Sequence, residues 1–276
     1  MYLIRGAGER AGSAASAGDS VGPPGGPLGG PSSTLLLTEP IRGLVDLAAL
    51  PLASPWLATA PRGDGHGVLV LPGLLATDAS TLPLRQFLRL LGYDVRGWGL
   101  GRNHGPTELV LDQLPRVLED HAQQSGQAVS LVGWSLGGIF ARELARACSG
   151  QVRRVITLGS PFAATDQWRT HADGPYRRLG HLHAAMDRLP SRWHIARPIG
   201  VPSTSVYSRH DGIVSWQGCV EPETALHENV EVRCSHLGFG VDPATLWLIA
   251  DRLALPAGQQ RPFRPPPLMR PLYPGR

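Results

Sequence analysis

Between residues 68 and 255 the chain alternates two hydrophobic patterns. Short apolar runs at 68–71, 93–98 and 128–132 read as strands, and 152–158, 203–208 and 229–233 continue the series. Between them the apolar residues fall at helical spacing: Leu82, Leu84, Phe87, Leu88 and Leu91, closed by Gly92, and then Leu109, Leu111, Leu114, Val117 and Leu118, despite Pro115. Two more helices are predicted over 139–147 and 243–255. Strands that alternate with helices imply an α/β fold. A mostly parallel central sheet is covered on both faces, because right-handed crossovers put helices there.

Three stretches break this rhythm. Residues 35–57 carry Ile41, Leu44, Val45, Leu47, Ala48 and Leu50, an amphipathic helix expected to end before Pro51. Residues 163–200 have no strand signal and are rich in Trp, His and Arg; they predict a helical cap inserted between the late strands. Residues 1–34, mostly Gly, Ala, Ser and Pro, and the Pro/Arg-rich tail 259–276 offer too little apolar area to offset ordering entropy, so both are expected to be disordered. One domain, 35–258, remains.

Composition narrows the function only slightly. The 276 residues carry 42% hydrophobic side chains, enough for a large core. No apolar run reaches the roughly 18–20 residues that span a bilayer. The net charge of +4 comes from arginine alone, since there is no lysine, and its scatter along the chain argues against nucleic-acid binding. The first six residues lack the apolar stretch of a secretory signal, so the expected location is cytoplasmic. For Cys219 and Cys234 both a disulfide and free thiols stay open, and Cys148 reads as core. No Cys/His spacing suggests a metal site, and no cofactor is expected.

The chemistry centres on Gly133-Trp134-Ser135-Leu136-Gly137, a Gly-x-Ser-x-Gly between a predicted strand and a predicted helix. That junction forces a tight turn at Ser135, lifts its hydroxyl out of the sheet and requires small neighbours. A serine hydroxyl needs a base, and the base an orienting acid. Candidates follow the last two strands: Asp211 in Arg209-His210-Asp211-Gly212, and His236 in Cys234-Ser235-His236-Leu237. Ser, acid, then His is the chain order this architecture uses. His210 diverges from its neighbour Asp211. His171, His181, His183 and His194 fall in the cap, and His66 and His104 in early loops. Asp242, before Pro243, is the reserve acid but reads as a helix cap. The oxyanion donors expected are the amides of Leu136, at a helix start, and of Leu74, after Pro72-Gly73.

With Pro72-Gly73-Leu74, residues 133–138, Thr157-Leu158-Gly159-Ser160-Pro161, residues 208–214 and Ser235-His236 in hand, the chain resembles the α/β-hydrolase superfamily, in its bacterial esterase/lipase-like branch. The resemblance implies a Ser135–Asp211–His236 triad and cofactor-free hydrolysis of carboxylic esters. Pro72 stands where many members have His, and no His-Gly-Gly-Gly run occurs. If the cap covers Ser135, Phe162, Trp168 and Trp193 form an apolar acyl pocket; ordinary packing is the equal alternative. The implied partner is a small-molecule or lipid-like ester, with contact to a membrane surface left open. Acyltransferase or thioesterase chemistry on the same triad, and a non-catalytic binding module, are the rival readings.

Overall fold

The structure, a computed structural model, describes residues 29–163, 168, 170–190 and 195–275. Among these, strands β1 (Gly67–Leu71), β2 (Asp94–Gly97), β3 (Val129–Trp134), β4 (Val152–Leu158), β5 (Ser203–Tyr207) and β6 (His227–Glu231) form one sheet in the order β2-β1-β3-β4-β5-β6. All five pairings are parallel. β6 begins two residues earlier than the apolar run predicts, because Ser203 pairs with His227 and draws Glu228 into the ladder.

β1 and β3 read as near-continuous apolar runs because both their faces are buried, and across the sheet the period of two sorts the apolar side chains. Val68, Val70, Val132, Trp134, Ile156, Leu158, Val206 and Val230 pack on one side. There they meet Leu84 and Leu88 of α3 (Leu82–Leu90) and the last helix, Pro243–Leu253. Leu69, Leu71, Leu131 and Val155 face the other side. Their partners are Val110, Leu114 and Leu118 of α4 (Glu108–Ser125) and Ile139 and Phe140 of α5 (Leu136–Ala147). Thr107 caps α4 through the Val110 amide, and Gly126 closes it at φ 65°. The carboxyl ends of β3, β5 and β6 therefore share one rim of the sheet.

Four expectations are corrected. The tail after 258 is ordered against the sheet: Phe263 and Tyr273 are buried, stack edge to face, and bond the Glu228 carboxylate and the Ala244 carbonyl. Two aromatics recover enough apolar area to hold a Pro-rich segment whose average composition predicts disorder. The N-terminal boundary also shifts. Residues 1–28 lie outside the described residues, but α1 (Ser33–Ala48) starts inside the segment expected to be disordered, on a Ser32 cap.

The predicted 35–57 helix becomes α1 and α2 (Leu50–Leu57), meeting at Ala49. Pro51 sits in the first turn of α2, where a missing amide costs nothing. The described part of the cap has the short helix α6 (Asp173–Arg178), helical residues at 195–196 and single 3₁₀ turns rather than a continuous helical layer. The last helix is α7. Cys148, Cys219 and Cys234 are all free thiols.

Candidate active site

Ser135 occupies the turn between β3 and α5 at φ 54°, ψ −121°, one of two non-glycine residues at positive φ among those described. The strain is possible only because its neighbours are bare. A Cβ on Gly133 would overlap the backbone of Gly137 and Gly138, and one on Gly137 would overlap the carbonyls of Leu71 and Pro72. A Cβ on Gly73 would come within 3.2 Å of the Ser135 Cβ. The turn thus presses β3, α5 and the loop after β1 together, with the serine at the point of contact.

The acid and base come from loops after β5 and β6. His236 Nδ1 lies 2.6 Å from Asp211 Oδ2. Asp211 Oδ1 accepts from the Ile213 and Val214 amides at 2.8 and 2.7 Å, which fixes the plane of the carboxylate. Ser208 Oγ donates to the Cys234 carbonyl and the Val232 amide to the Tyr207 carbonyl, so the two loops leave the sheet as a pair. Trp134 Nε1 donates to the His236 carbonyl, 3.1 Å away, tying the base to β3. Burial pushes the His236 imidazole down. The charge and hydrogen bond of Asp211, with the charge of Glu39, outweigh it, and the net direction is up from 6.5.

Ser135 and His236 line one cavity of about 290 Å³, with Gly73, Leu74, Leu75, Trp134 and Leu237. No hydrogen bond joins the two side chains among the described residues; they meet across the cavity. The loop 72–76 is shaped by a residue that sequence reasoning missed. Asn103, fully buried, donates from Nδ2 to the Pro72 carbonyl and accepts the Gly105 amide on Oδ1. Its backbone bonds Leu75 and Ala76. That engages the Leu75 amide, on a residue at φ 62°, while Leu74 and Leu136 line a narrow space of about 20 Å³ together with Ser135. The only signal in the sequence was an Asn inside a glycine-rich loop.

Of the proposed pocket side chains, Phe162 is buried beneath the Arg142 guanidinium, 3.8 Å from its ring, and lines neither cavity. Trp168 is half-buried and lines neither, and Trp193 lies outside the described residues. Asp242 caps α7 through the Thr245 amide and hydroxyl, and burial pushes it up to about 6. No cluster of three or more His, Cys, Asp or Glu that could hold a metal occurs among the described residues.

A second Ser–His–Asp array exists. His66 Nε2 lies 2.8 Å from Ser130 Oγ, and its Nδ1 bonds Asp64. In bonding terms this relay is the more complete one. Ser130 and His66 are fully buried at the amino end of the sheet and line neither space that Ser135 lines, so no carbonyl carbon can reach the hydroxyl. Access, rather than hydrogen bonding, separates the two.

The chain is similar to known proteins over parts of its length. A sequence model of the palmitoyl protein thioesterase family matches residues 101–191, which include Ser135 but neither Asp211 nor His236. Pimeloyl-[acyl-carrier protein] methyl ester esterase of Klebsiella pneumoniae is 37% identical over 118 residues, 41% of this chain and 44% of that protein. The Yersinia pseudotuberculosis protein of that name is 34% identical over 87 residues, 31% and 32% of the two chains. The chain thus spans less than half the length of these curated relatives. Aspergillus fumigatus lipase B superposes with a TM-score of 0.55 at 16% identity, over 74% of this chain and 56% of that one. A mature Bacillus licheniformis lipase gives 0.50 at 16%, over 71% and 95%. At such identity the likeness shows a shared fold.

Proposed function

We propose that this chain, an α/β-hydrolase by fold, is a serine hydrolase that cleaves carboxylic esters through an acyl-enzyme on Ser135. The observation that carries the reading is a serine strained to φ 54° in the same cavity as an imidazole whose far nitrogen is bonded to a buried carboxylate. Asp211 holds the proton on Nδ1, leaving the Nε2 lone pair free to take the Ser135 proton as Oγ attacks the carbonyl. The Leu74 and Leu136 amides would receive the oxyanion. Expulsion of the alcohol takes the proton back from His236, and water then repeats the sequence to release the acid.

The substrate class follows from the walls. A second, largely apolar cavity of about 230 Å³ lies between α4 and α5, lined by Val110, Leu114, Leu136, Ile139, Leu144 and Tyr176 among others. Leu136 and Tyr176 also line the narrow space at Ser135, so an acyl chain bound at the serine has an apolar path onward. Each buried methylene is worth about 0.8 kcal/mol, or roughly fourfold in kcat/KM. The match to a thioesterase family model favours thioesters as a second leaving-group class.

Labelling by a fluorophosphonate probe tests the reading directly. The expected result is modification of Ser135 and loss of p-nitrophenyl ester turnover in Ser135→Ala. Equal turnover by the variant and the parent would refute it.

A further inference from the structure

Helix α1 is amphipathic the wrong way round. Leu37, Ile41, Leu44 and Val45 are 63–79% exposed, while Glu39 on the opposite side is only 2% exposed. What the buried side gains is polar. Glu39 Oε1 accepts the Gly212 amide at 2.6 Å and the His236 amide at 3.1 Å, and Oε2 accepts the Leu237 amide at 3.2 Å. Arg42 pairs with Oε1 at 2.8 Å and also donates to the His210 carbonyl. Two turns on, Asp46 accepts from the amide and hydroxyl of Ser235. Gly43, between them, allows the helix to approach Leu237, whose Cβ would stand 3.0 Å from an added methyl. One carboxylate therefore touches the residue after Asp211, His236 itself, and the residue after His236.

We propose that Glu39 is a positioning residue of the hydrolytic site: its carboxylate clamps the acid-bearing and base-bearing loops at their working separation and adds negative charge beside the imidazole. The inference rests on the ester-hydrolase reading and deepens it. Nothing in the motif around Ser135 supplies this link, because the two loops leave different strands and are otherwise joined through Ser208, the Val232–Tyr207 backbone bond and the Asp211–His236 bond. A buried carboxylate that accepts several amides is costly to place without such partners, and a helix that leaves four large apolar side chains in water to place it is held there by those bonds. The groups facing His236 are Asp211 on its own rim, Glu39 and Arg42 on α1, Asp46 through Ser235, and His171 across the cavity. Glu39 charge favours the imidazolium, in the direction in which His236 is shifted.

The test compares Glu39→Gln and Glu39→Asp with the parent in the full chain. Gln keeps the shape and removes the charge, and its NH₂ must face an amide donor. We expect kcat for a short p-nitrophenyl ester to fall about tenfold or more, with KM within about twofold. The acid limb of kcat/KM should move to lower pH, because the base loses a negative neighbour. Asp restores the charge but not the reach, so the limb returns toward the parent while kcat stays low. A purely structural role would lower Tm and leave kcat per active site and the limb unchanged, and that result overturns the proposal. NMR titration of His236 separates the two levels: should the parent hydrolyse no ester, a lowered His236 pKa in Glu39→Gln still supports the clamp, and an unchanged one refutes it.

Discussion

His236 Nδ1 and Asp211 Oδ2 stand 2.6 Å apart, and neither is more than slightly exposed. Both oxygens of the Asp211 carboxylate are engaged: Oδ1 accepts two amides and Oδ2 meets the imidazole. A carboxylate at Nδ1 favours the tautomer that carries its proton there, and His236 lines the cavity that Ser135 also lines.

Replacing Asp211 by Asn keeps the shape and lets the other tautomer form. We expect kcat to fall by about 10³–10⁴-fold with KM little changed. Steady-state kinetics with the folded variant, checked by circular dichroism, reads the outcome.

The pH profile has a defined sign. Burial opposes the charged imidazole, but Asp211 and Glu39 win, so His236 titrates above 6.5. A general base must be neutral, so kcat/KM falls as pH drops through that raised value. A midpoint of the acid limb below that of a free histidine would contradict the arrangement.

The two serine relays make opposite predictions. Ser130→Ala should leave probe labelling intact, whereas Ser135→Ala abolishes it. Ser130→Ala removes one buried hydrogen bond to His66, with an expected stability loss of about 1 kcal/mol. Denaturant melts and mass spectrometry of labelled peptides measure both.

Asn103 shapes the loop that carries Leu74. Asn103→Ala leaves the Pro72 carbonyl and the Gly105 amide without their partner. Losing an oriented oxyanion donor costs about 10²–10³-fold in rate, so kcat should fall by up to that amount while Ser135 still labels slowly.

Arg142 ties the helix behind Ser135 to the far strands. Its guanidinium meets both oxygens of Glu221 at 2.9 and 3.0 Å, and Glu221 also accepts from Ser203 and Ser205. Arg142→Ala strands a buried carboxylate and should cost about 3–5 kcal/mol in urea unfolding. Burial pushes Glu221 up, but the Arg142 bonds and charge prevail and hold it low. The stability it contributes is present above the usual carboxylate range and fades as pH falls through its lowered value.

No helix among the described residues is long and apolar enough to cross a membrane. Exposed apolar residues gather on α1 and α2, where Leu52 is more exposed than the α1 stripe, with others such as Leu90 and Leu268 outside them.

Much of this was legible along the chain. Strand and helix patterns are local, set by contacts two to four residues apart, and they located β4 at Val152–Leu158 and the serine turn between β3 and α5. The bareness of Gly133 and Gly137 follows from the turn itself. What no local pattern could decide is which distant groups meet. Ser130 with His66 and Ser135 with His236 are equal as residue types; only the path of the chain seals one and opens the other. The periodicity of α1 gives two faces without saying which turns inward. That was decided by amides of residues 212, 236 and 237, nearly two hundred positions away, whose hydrogen bonds to Glu39 outbid the burial of leucines.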